Sequence, residues 1–265
     1  MPNVLEEDFL KASHRASIMA ASGLVPDEWQ ERLITSDRPS IVCCCRQAGK
    51  STGAAALAAH TFYYSVGSTT LIVSPTETQS SELLRRAKGM LAAMPGGGGM
   101  IGNATTRIES SSGSRIIALP GTDASTRGYS PNLLLLDECA YLPDETIRAM
   151  MPSTSVTRAR IVMLSTPAGR CGVFYELWAA TEDQIARGEE PSWDLIRVTC
   201  ETPEVRARQG QEFIEMERQT RSAFDFAQEY LSEFTASDSA VFHPDSIGHA
   251  FTSGQPSIII EGGIE

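Results

Sequence analysis

Residues 46–52 read Arg-Gln-Ala-Gly-Lys-Ser-Thr, a set of residue types that can hold a polyphosphate. Gly49 lets the backbone approach a phosphate closely, and Lys50 supplies a positive charge for the β- and γ-phosphates. The hydroxyl of Ser51, or alternatively that of Thr52, can bind Mg²⁺. A helix that begins here directs its free N–H groups and the positive end of its dipole at the anion. These residues therefore predict a nucleotide site.

Cys44 occupies the position at which the standard G-x-x-x-x-G-K-[ST] pattern has its first glycine. The loop is therefore non-standard, and a nucleotide site needs support from a second motif. We assign Arg46, Gln47 and Ala48, which precede the glycine, to the same phosphate-binding loop. An apolar run at residues 41–45 enters this loop, so a buried strand is expected to position it.

A second motif, Asn-Leu-Leu-Leu-Leu-Asp-Glu, lies at residues 132–138. Four consecutive leucines are typical of a strand that is buried on both faces of a parallel sheet. Asp137 then lies at the carboxyl end of that strand, where open α/β sheets bind their ligands. An aspartate there can hold Mg²⁺, and Glu138 can accept a proton from an attacking water. The two motifs together predict nucleotide hydrolysis rather than two coincidental strand ends.

Strands and helices alternate along most of the chain, which predicts an α/β fold with a mostly parallel sheet flanked by helices. Besides the leucine run, strands are expected at residues 41–45, 69–74, 160–166 and 193–200. Helical patterns cover residues 5–22, 49–60, 77–94, 143–151 and 173–185. Two runs at 105–109 and 114–120 predict a hairpin. The charged, helical pattern at 203–234 predicts a small helical C-terminal subdomain.

Gln30 is a candidate for contact with a nucleotide base. Asp27 can cap a short helix that carries Trp29, Gln30 and Leu33. The amide of Gln30 offers a donor and an acceptor, which suits the edge of adenine. A packed tryptophan beside a solvated glutamine is the alternative interpretation.

Two other segments contain residues that can respond to hydrolysis. Ser165, Thr166 and Pro167 end the strand at 160–166, and their hydroxyls can sense the loss of the γ-phosphate; an ordinary strand-to-loop exit is the alternative. Arg127 lies in a polar loop at residues 121–131. It is either an arginine finger for a neighbouring subunit's nucleotide or a surface arginine.

Arg85, Arg86 and Lys88 form the densest basic cluster of the chain. They can contact DNA phosphates, although a solvated helix face explains them nearly as well. The formal net charge of −11 argues against an evenly basic nucleic-acid binder. It leaves room for a local basic stripe, or for a ring that turns one face toward a polyanion.

Composition and length fit either one large globular α/β domain or one domain with a small appendage. The chain has 265 residues, of which 42% are hydrophobic. No apolar run approaches the ~18 residues of a membrane span. The acidic amino terminus has no signal-peptide features, so a cytoplasmic location without a membrane partner is expected. The six cysteines contain no C-x-x-C pair, which disfavours a metal site made of thiolates.

Four motifs occur in one order: Trp-Gln, Arg-Gln-Ala-Gly-Lys-Ser-Thr, Leu-Leu-Leu-Leu-Asp-Glu and Ser-Thr-Pro. This combination resembles the large terminase subunit of tailed bacteriophages, the motor that drives double-stranded DNA into the capsid. The resemblance covers roughly residues 20 to 245. It implies a P-loop NTPase fold of the ASCE type and an ATPase that requires Mg²⁺.

The resemblance also implies a role for each matching residue. Gln30 would contact adenine, and Arg46 would be the basic residue of the loop near the phosphates. Lys50 and Ser51 would bind phosphates and Mg²⁺, Asp137 would organise Mg²⁺, and Glu138 would orient the water. The coupling motif would be Ser165, Thr166 and Pro167, and the finger that acts between subunits would be Arg127.

The same resemblance implies a domain organisation and a set of partners. We expect an ATPase core at 1–200, a helical lid or linker subdomain at 201–236, and a linker at 237–265 that leads to an absent nuclease domain. No nuclease activity is expected from this chain. The implied partners are double-stranded DNA, a portal protein, a small terminase subunit and further copies in a ring, working in the host cytoplasm. The isolated domain could be a monomer.

Two other functions compete with this interpretation. A helicase-like, DNA-dependent ATPase usually has a second core of similar fold, and this chain has room for only one. A non-catalytic nucleotide-binding assembly module would not need Lys50, Ser51, Asp137 and Glu138 together. Turnover that rises with protein concentration would distinguish a ring ATPase from such a module.

Overall fold

The computed structural model describes residues 15–122 and 128–235. The strands in this part of the chain are β1 (Ser40–Cys44), β2 (Thr69–Ser74), β3 (Met100–Asn103), β4 (Arg107–Ser110), β5 (Arg115–Pro120), β6 (Leu133–Asp137), β7 (Arg160–Ser165) and β8 (Asp194–Val198). The α-helices are α1 (Ser17–Ala21), α2 (Glu28–Thr35), α3 (Lys50–Tyr64), α4 (Glu77–Ala92), α5 (Asp144–Met150), α6 (Gly172–Ala186), α7 (Pro203–Gln209), α8 (Gln211–Thr220) and α9 (Ala223–Glu229).

All eight of these strands form a single sheet in the order β3-β4-β5-β2-β6-β7-β1-β8. Six neighbouring strands of this order, β5-β2-β6-β7-β1-β8, pair in parallel. Strands β3 and β4 form an antiparallel extension beside β5 at one edge. Strand β7 lies between β1, which enters the phosphate loop, and β6, which carries the leucine run. This insertion agrees with the predicted ASCE type, and the predicted mostly parallel α/β sheet is confirmed.

The central strands are apolar on both faces because helices cover both faces. On one side, Val42, Ile72 and Leu135 pack in a core with α1 to α4. On the other side, the neighbouring residues Ile41 and Leu71 pack in a second core with α5 and α6. Successive side chains of a strand point to opposite faces, so a strand between two layers needs a continuous apolar run. This is why short apolar runs identified these strands correctly.

The edge of the sheet differs from the prediction. Strand β3 was not expected, because Met-Ile-Gly-Asn is short and follows a run of four glycines. The segment Pro95–Gly99 forms a 3-10 turn in which all four glycines have left-handed backbone angles. At Gly98 a Cβ atom would lie 2.9 Å from Cβ of Leu91, so this glycine is required by close packing. The turn redirects the chain into β3, which pairs with β4.

The carboxyl-terminal helices α7, α8 and α9 form a small unit with its own apolar cluster. This cluster consists of the buried residues Cys200, Ile214, Phe226 and Tyr230. The expected helical subdomain is therefore present between residues 203 and 229. Most of the helix predicted at residues 5–22 lies outside the described residues, and within them a helix runs from Ser17 to Ala21. No helix in the described residues is long and apolar enough to cross a lipid bilayer.

Candidate nucleotide site

The carboxyl ends of β1, β6 and β7 meet at one edge of the sheet and bring the predicted motifs together. Asp137 pairs in register with Leu164, so Ser165 follows directly beside the Asp-Glu pair. A cavity of about 510 Å³ opens at this edge. Its lining residues are Arg46, Gln47, Lys50, Pro75, Gln79, Glu138, Tyr141 and Thr166. Open α/β sheets bind their ligands at such an edge.

The phosphate loop has the backbone shape of an anion site. Gln47 and Gly49 have φ values of 56° and 96°, which turn the chain sharply before α3. The backbone N–H groups of Gly49, Lys50 and Ser51 find no acceptor among the residues that the structure describes. Because they belong to the first turn of a helix, these donors are available to an anion together with the helix dipole.

Lys50 and Glu138 face each other inside this cavity, with Nζ 3.4 Å from Oε1. Burial alone would lower the pKa of Lys50, but the attraction of the Glu138 and Asp137 carboxylates outweighs it and raises the pKa. Lys50 is therefore positively charged at neutral pH. Glu138 has a left-handed backbone, φ 50°, at the turn after β6. Such a conformation is strained for a residue with a side chain and is common at functional sites.

Asp137 is a buried carboxylate whose Oδ1 atom has no hydrogen-bond partner. Burial and the nearby charge of Glu138 raise the pKa of Asp137 to about 6, although Lys50 opposes the shift. A buried carboxylate oxygen without a partner is costly unless a cation or donor satisfies it. Carboxylate and hydroxyl oxygens are ligands that Mg²⁺ prefers. The residues present therefore fit Mg²⁺, with Asp137 and Ser51 as the groups that would hold it.

The end of β7 is connected to the turn that follows Glu138. The Oγ atom of Ser165 accepts a hydrogen bond from the N–H of Ala140 at 3.2 Å. The hydroxyls of Tyr141 and Thr166 lie 3.5 Å apart. These contacts tie the coupling candidates to the same turn that carries Glu138. Tyr141 was not singled out in the sequence, because a tyrosine beside an Asp-Glu pair carries no motif of its own.

Gln30 lies beneath the phosphate loop. Its side chain is buried, accepts a hydrogen bond from the N–H of Asp27 and donates one to the carbonyl of Gly49 at 3.0 Å. These bonds use one of the two N–H donors and one of the two acceptor lone pairs of the amide, so the structure gives Gln30 a contact with the loop itself. Its contact with adenine stays a prediction. Arg46 lines the cavity, and its guanidinium also pairs with Glu229 of α9 at 2.8 Å.

The model of one protein family matches residues 43–248, and its description is "Terminase large subunit, T4likevirus-type, N-terminal". The chain belongs to this large terminase family. The matched range contains the phosphate loop, the Asp-Glu pair, the coupling candidates and helices α7 to α9. The predicted resemblance is therefore confirmed, and the ATPase activity of the terminase core applies to this chain. A comparison with curated proteins finds no match.

Solved large terminase structures share this fold at low sequence identity. The large terminase ATPase domain of Thermus phage P74-26 has a TM-score of 0.68 and 20% identity, and covers 82% of this chain and 97% of its own. The large terminase of bacteriophage HK97 has a TM-score of 0.64 and 14% identity, and the match covers 79% of this chain and 51% of the HK97 protein. The large terminase of the thermophilic bacteriophage D6E, in complex with ADP, has a TM-score of 0.60 and 15% identity. This match covers 79% of this chain and 54% of the D6E protein. This terminase chain thus spans about half the length of the last two proteins.

The DNA-contact candidates of this terminase lie on α4, and one of them, Arg86, is close enough to Asp137 to oppose the rise in the pKa of that carboxyl. Arg85 and Arg86 both pair with Glu82, at 2.7 and 3.3 Å. Lys88 donates a hydrogen bond to the carbonyl of Ala104 at 2.6 Å. Arg85, Lys88 and Glu82 line a different, open groove along α4. Arg127 lies outside the described residues, so its role as a finger stays a prediction.

Proposed function

We propose that this chain is the motor domain of a terminase that packages double-stranded DNA, and that it couples ATP hydrolysis to DNA translocation into a procapsid. The observation that carries the proposal is the meeting of Lys50, Asp137 and Glu138 at one edge of the sheet. Lys50 and Glu138 are 3.4 Å apart there, and Asp137 offers a buried, unpartnered oxygen. A binding module has no use for a general base at this place.

The chemistry follows from the positions of these side chains. The free N–H groups of the loop and the ammonium of Lys50 bind the β- and γ-phosphates, which draws Lys50 away from Glu138. The freed carboxylate of Glu138 then orients the attacking water and accepts its proton. Mg²⁺, when bound by Asp137 and Ser51, neutralises charge that develops on the phosphate oxygens.

Coupling to movement starts at the turn after Glu138. Ser165 and Thr166 contact this turn through Ala140 and Tyr141. Loss of the γ-phosphate changes the position of Glu138, and the turn passes that change to the end of β7. Arg46 of the phosphate loop pairs with Glu229 and so connects that loop to the helical subdomain. Hydrolysis is thereby expected to move α7–α9 against the core.

The partners follow from the family. Terminase large subunits act with DNA in packaging, and we assign to this chain a portal protein, a small terminase subunit and a ring of further copies. In the ring, Arg127 would reach the nucleotide of a neighbouring subunit through a heterologous interface that closes on itself. The host cytoplasm is the expected place of work.

Steady-state ATP hydrolysis as a function of protein concentration tests this proposal. Turnover per subunit is expected to rise with concentration in the wild type, to lose that rise in Arg127→Ala, and to vanish in Lys50→Ala. Arg187→Ala is the matched control, since Arg187 pairs only with Asp183 and Glu189 among the described residues. Bound ATP with no hydrolysis at any concentration would contradict the motor and favour a binding module.

A further inference from the structure

We propose that Arg208, at the end of α7, is a positioning residue that holds the phosphate loop in its nucleotide-binding shape. The inference rests on the proposed function, and it assigns part of the nucleotide site to the helical subdomain. Arg208 lies about 160 residues after the loop, and no motif of the sequence includes it.

The contacts of Arg208 join three parts of the chain. Its Nη1 and Nη2 atoms donate to Oδ1 and Oδ2 of Asp27 at 2.6 and 2.8 Å. The same Nη2 atom donates to the carbonyl of Ala48, inside the phosphate loop, at 2.9 Å. A planar guanidinium can make this bidentate pair and the third bond together, whereas an ammonium cannot reproduce the fork.

The backbone carbonyls of the phosphate loop need hydrogen-bond donors on the side of the loop that faces away from the anion. If its N–H groups are to face an anion, its carbonyls must point away from the anion and find partners elsewhere. The structure supplies such donors from side chains: Gln209 to the carbonyl of Arg46 at 2.8 Å, Arg208 to that of Ala48 at 2.9 Å, and Gln30 at 3.0 Å to that of Gly49, which also accepts from the N–H of Gly53. Two of the three donors come from α7.

Asp27 fixes the position of Arg208. The Asp27 carboxylate is buried, with only 6% of its side chain exposed, so it requires a cationic partner. Asp27 also accepts a hydrogen bond from Nε1 of Trp29 at 3.1 Å and caps the start of α2. The carboxylate is thus held rigidly by the core, and Arg208 is held by the carboxylate. The bond to Ala48 therefore fixes the loop relative to both the core and α7.

A purely structural role for Arg208 makes a different prediction from a positioning role. If Arg208 only attaches α7 to the core, its loss lowers the melting temperature and leaves nucleotide affinity unchanged. If it positions the loop, its loss weakens nucleotide binding in protein that is still folded. Reciprocal coupling also requires that bound nucleotide protects α7 in the wild type.

The experiment compares Arg208→Met, Arg208→Lys and the matched control Arg206→Met. Arg206 lies on the same helix and is exposed, and its side chain hydrogen-bonds only to Gln211 among the described residues. The probe is a fluorescent ADP analogue, with melting temperature and backbone hydrogen exchange as further readouts. We expect binding to weaken by about tenfold in Arg208→Met, by an intermediate factor in Arg208→Lys, and not in Arg206→Met. We also expect kcat at saturating ATP to change less than KM.

Hydrogen exchange gives a readout that does not depend on turnover. In the wild type, ADP is expected to slow exchange at residues 47–51 and at residues 203–209. In Arg208→Met at the same nucleotide occupancy, the protection of residues 203–209 is expected to be lost. Equal ADP affinity and equal protection in folded Arg208→Met would overturn the inference. A wild type that does not bind the analogue would instead contradict the proposed function.

Asp27→Asn provides a second variant in case Arg208→Met does not fold. Asparagine keeps an oxygen that can cap α2, but it removes the charge that holds Arg208. We expect this variant to weaken ADP binding by a few-fold, in the same direction as Arg208→Met. Unchanged affinity in folded Asp27→Asn would also overturn the inference, because Asp27 is the anchor of the guanidinium.

Discussion

At the residue scale, Asp137 is a carboxylate that the fold holds at an energetic cost. Its pKa of about 6 lies above the value of about 3.9 for an unfolded aspartate. The folded state therefore favours the protonated form. The contribution of the protonated Asp137 carboxyl to the free energy of unfolding is fully present below pH ~4 and is lost as the pH rises through 6.

Replacing the Asp137 carboxylate by an uncharged amide measures how much the buried charge lowers the stability of the fold. Asp137→Asn is expected to be more stable than the wild type at pH 8 without Mg²⁺, by about 1–2 kcal/mol, and the gain should shrink by pH 5. Denaturant unfolding at both pH values measures the difference. Asp183→Asn is the control, because Asp183 is exposed. A variant that is less stable than the wild type at pH 8 would show that the Asp137 carboxylate stabilises the fold.

The same residue changes the response to ligand. Mg²⁺ and ATP should stabilise the wild type more than Asp137→Asn, since binding to the native state raises stability and the carboxylate is the better ligand. A thermal-shift titration at pH 8 measures both responses. Equal shifts in the two proteins would remove Asp137 from the metal site.

At the element scale, two glycines near the start of α3 form a matched pair. Gly49 has φ 96°, and a Cβ atom there would lie 2.7 Å from Nε2 of Gln30. At Gly53 a Cβ atom would meet Cγ of Gln30 at 3.5 Å, which is an ordinary contact. Gly49→Ala is therefore expected to weaken nucleotide binding by tenfold or more, because the loop must distort. Gly53→Ala should leave binding unchanged and stabilise the helix by roughly 0.5–1 kcal/mol.

Equilibrium nucleotide binding and denaturant unfolding of both variants check this prediction. The opposite order, with Gly53→Ala losing affinity and Gly49→Ala retaining it, would show that the loop shape does not depend on the left-handed glycine. The substitutions are identical in size, so a difference between the variants reports the left-handed backbone and the close contact with Gln30 at Gly49.

Elements that are buried on two faces were predictable from the sequence, and contacts between distant elements were not. The run Leu133–Leu136 identified β6, and the apolar run before the loop identified β1, because both strands must be apolar on each side. The edge strand β3 has no such requirement. Arg208 was missed because its partners, Asp27 and Ala48, become neighbours only after the helical subdomain packs against the core.

At the scale of the whole molecule, the charge distribution limits contact with DNA. The net charge is −11, and Glu82 pairs with both Arg85 and Arg86 on the surface of α4. Glu82→Gln should release the two arginines and strengthen binding to a DNA duplex by about two- to fivefold at low salt, with a steeper salt dependence. Fluorescence anisotropy over a range of salt concentrations measures both effects.

The control for this prediction is Glu176→Gln. Glu176 pairs with Arg148 at 2.7 Å, away from the α4 groove lining. An equal gain in Glu176→Gln would indicate a general effect of net charge. No gain in Glu82→Gln would remove Arg85 and Arg86 from the candidate DNA surface.

ATP hydrolysis by the whole molecule depends on Glu138, which activates the attacking water. Steady-state ATP hydrolysis and ATP binding, measured side by side for the wild type and Glu138→Gln, test this role. We predict that Glu138→Gln loses about 10²–10⁴-fold in kcat while it still binds ATP, because the amide cannot accept the proton. Hydrolysis by Glu138→Gln at the rate of the wild type would show that Glu138 is not the general base.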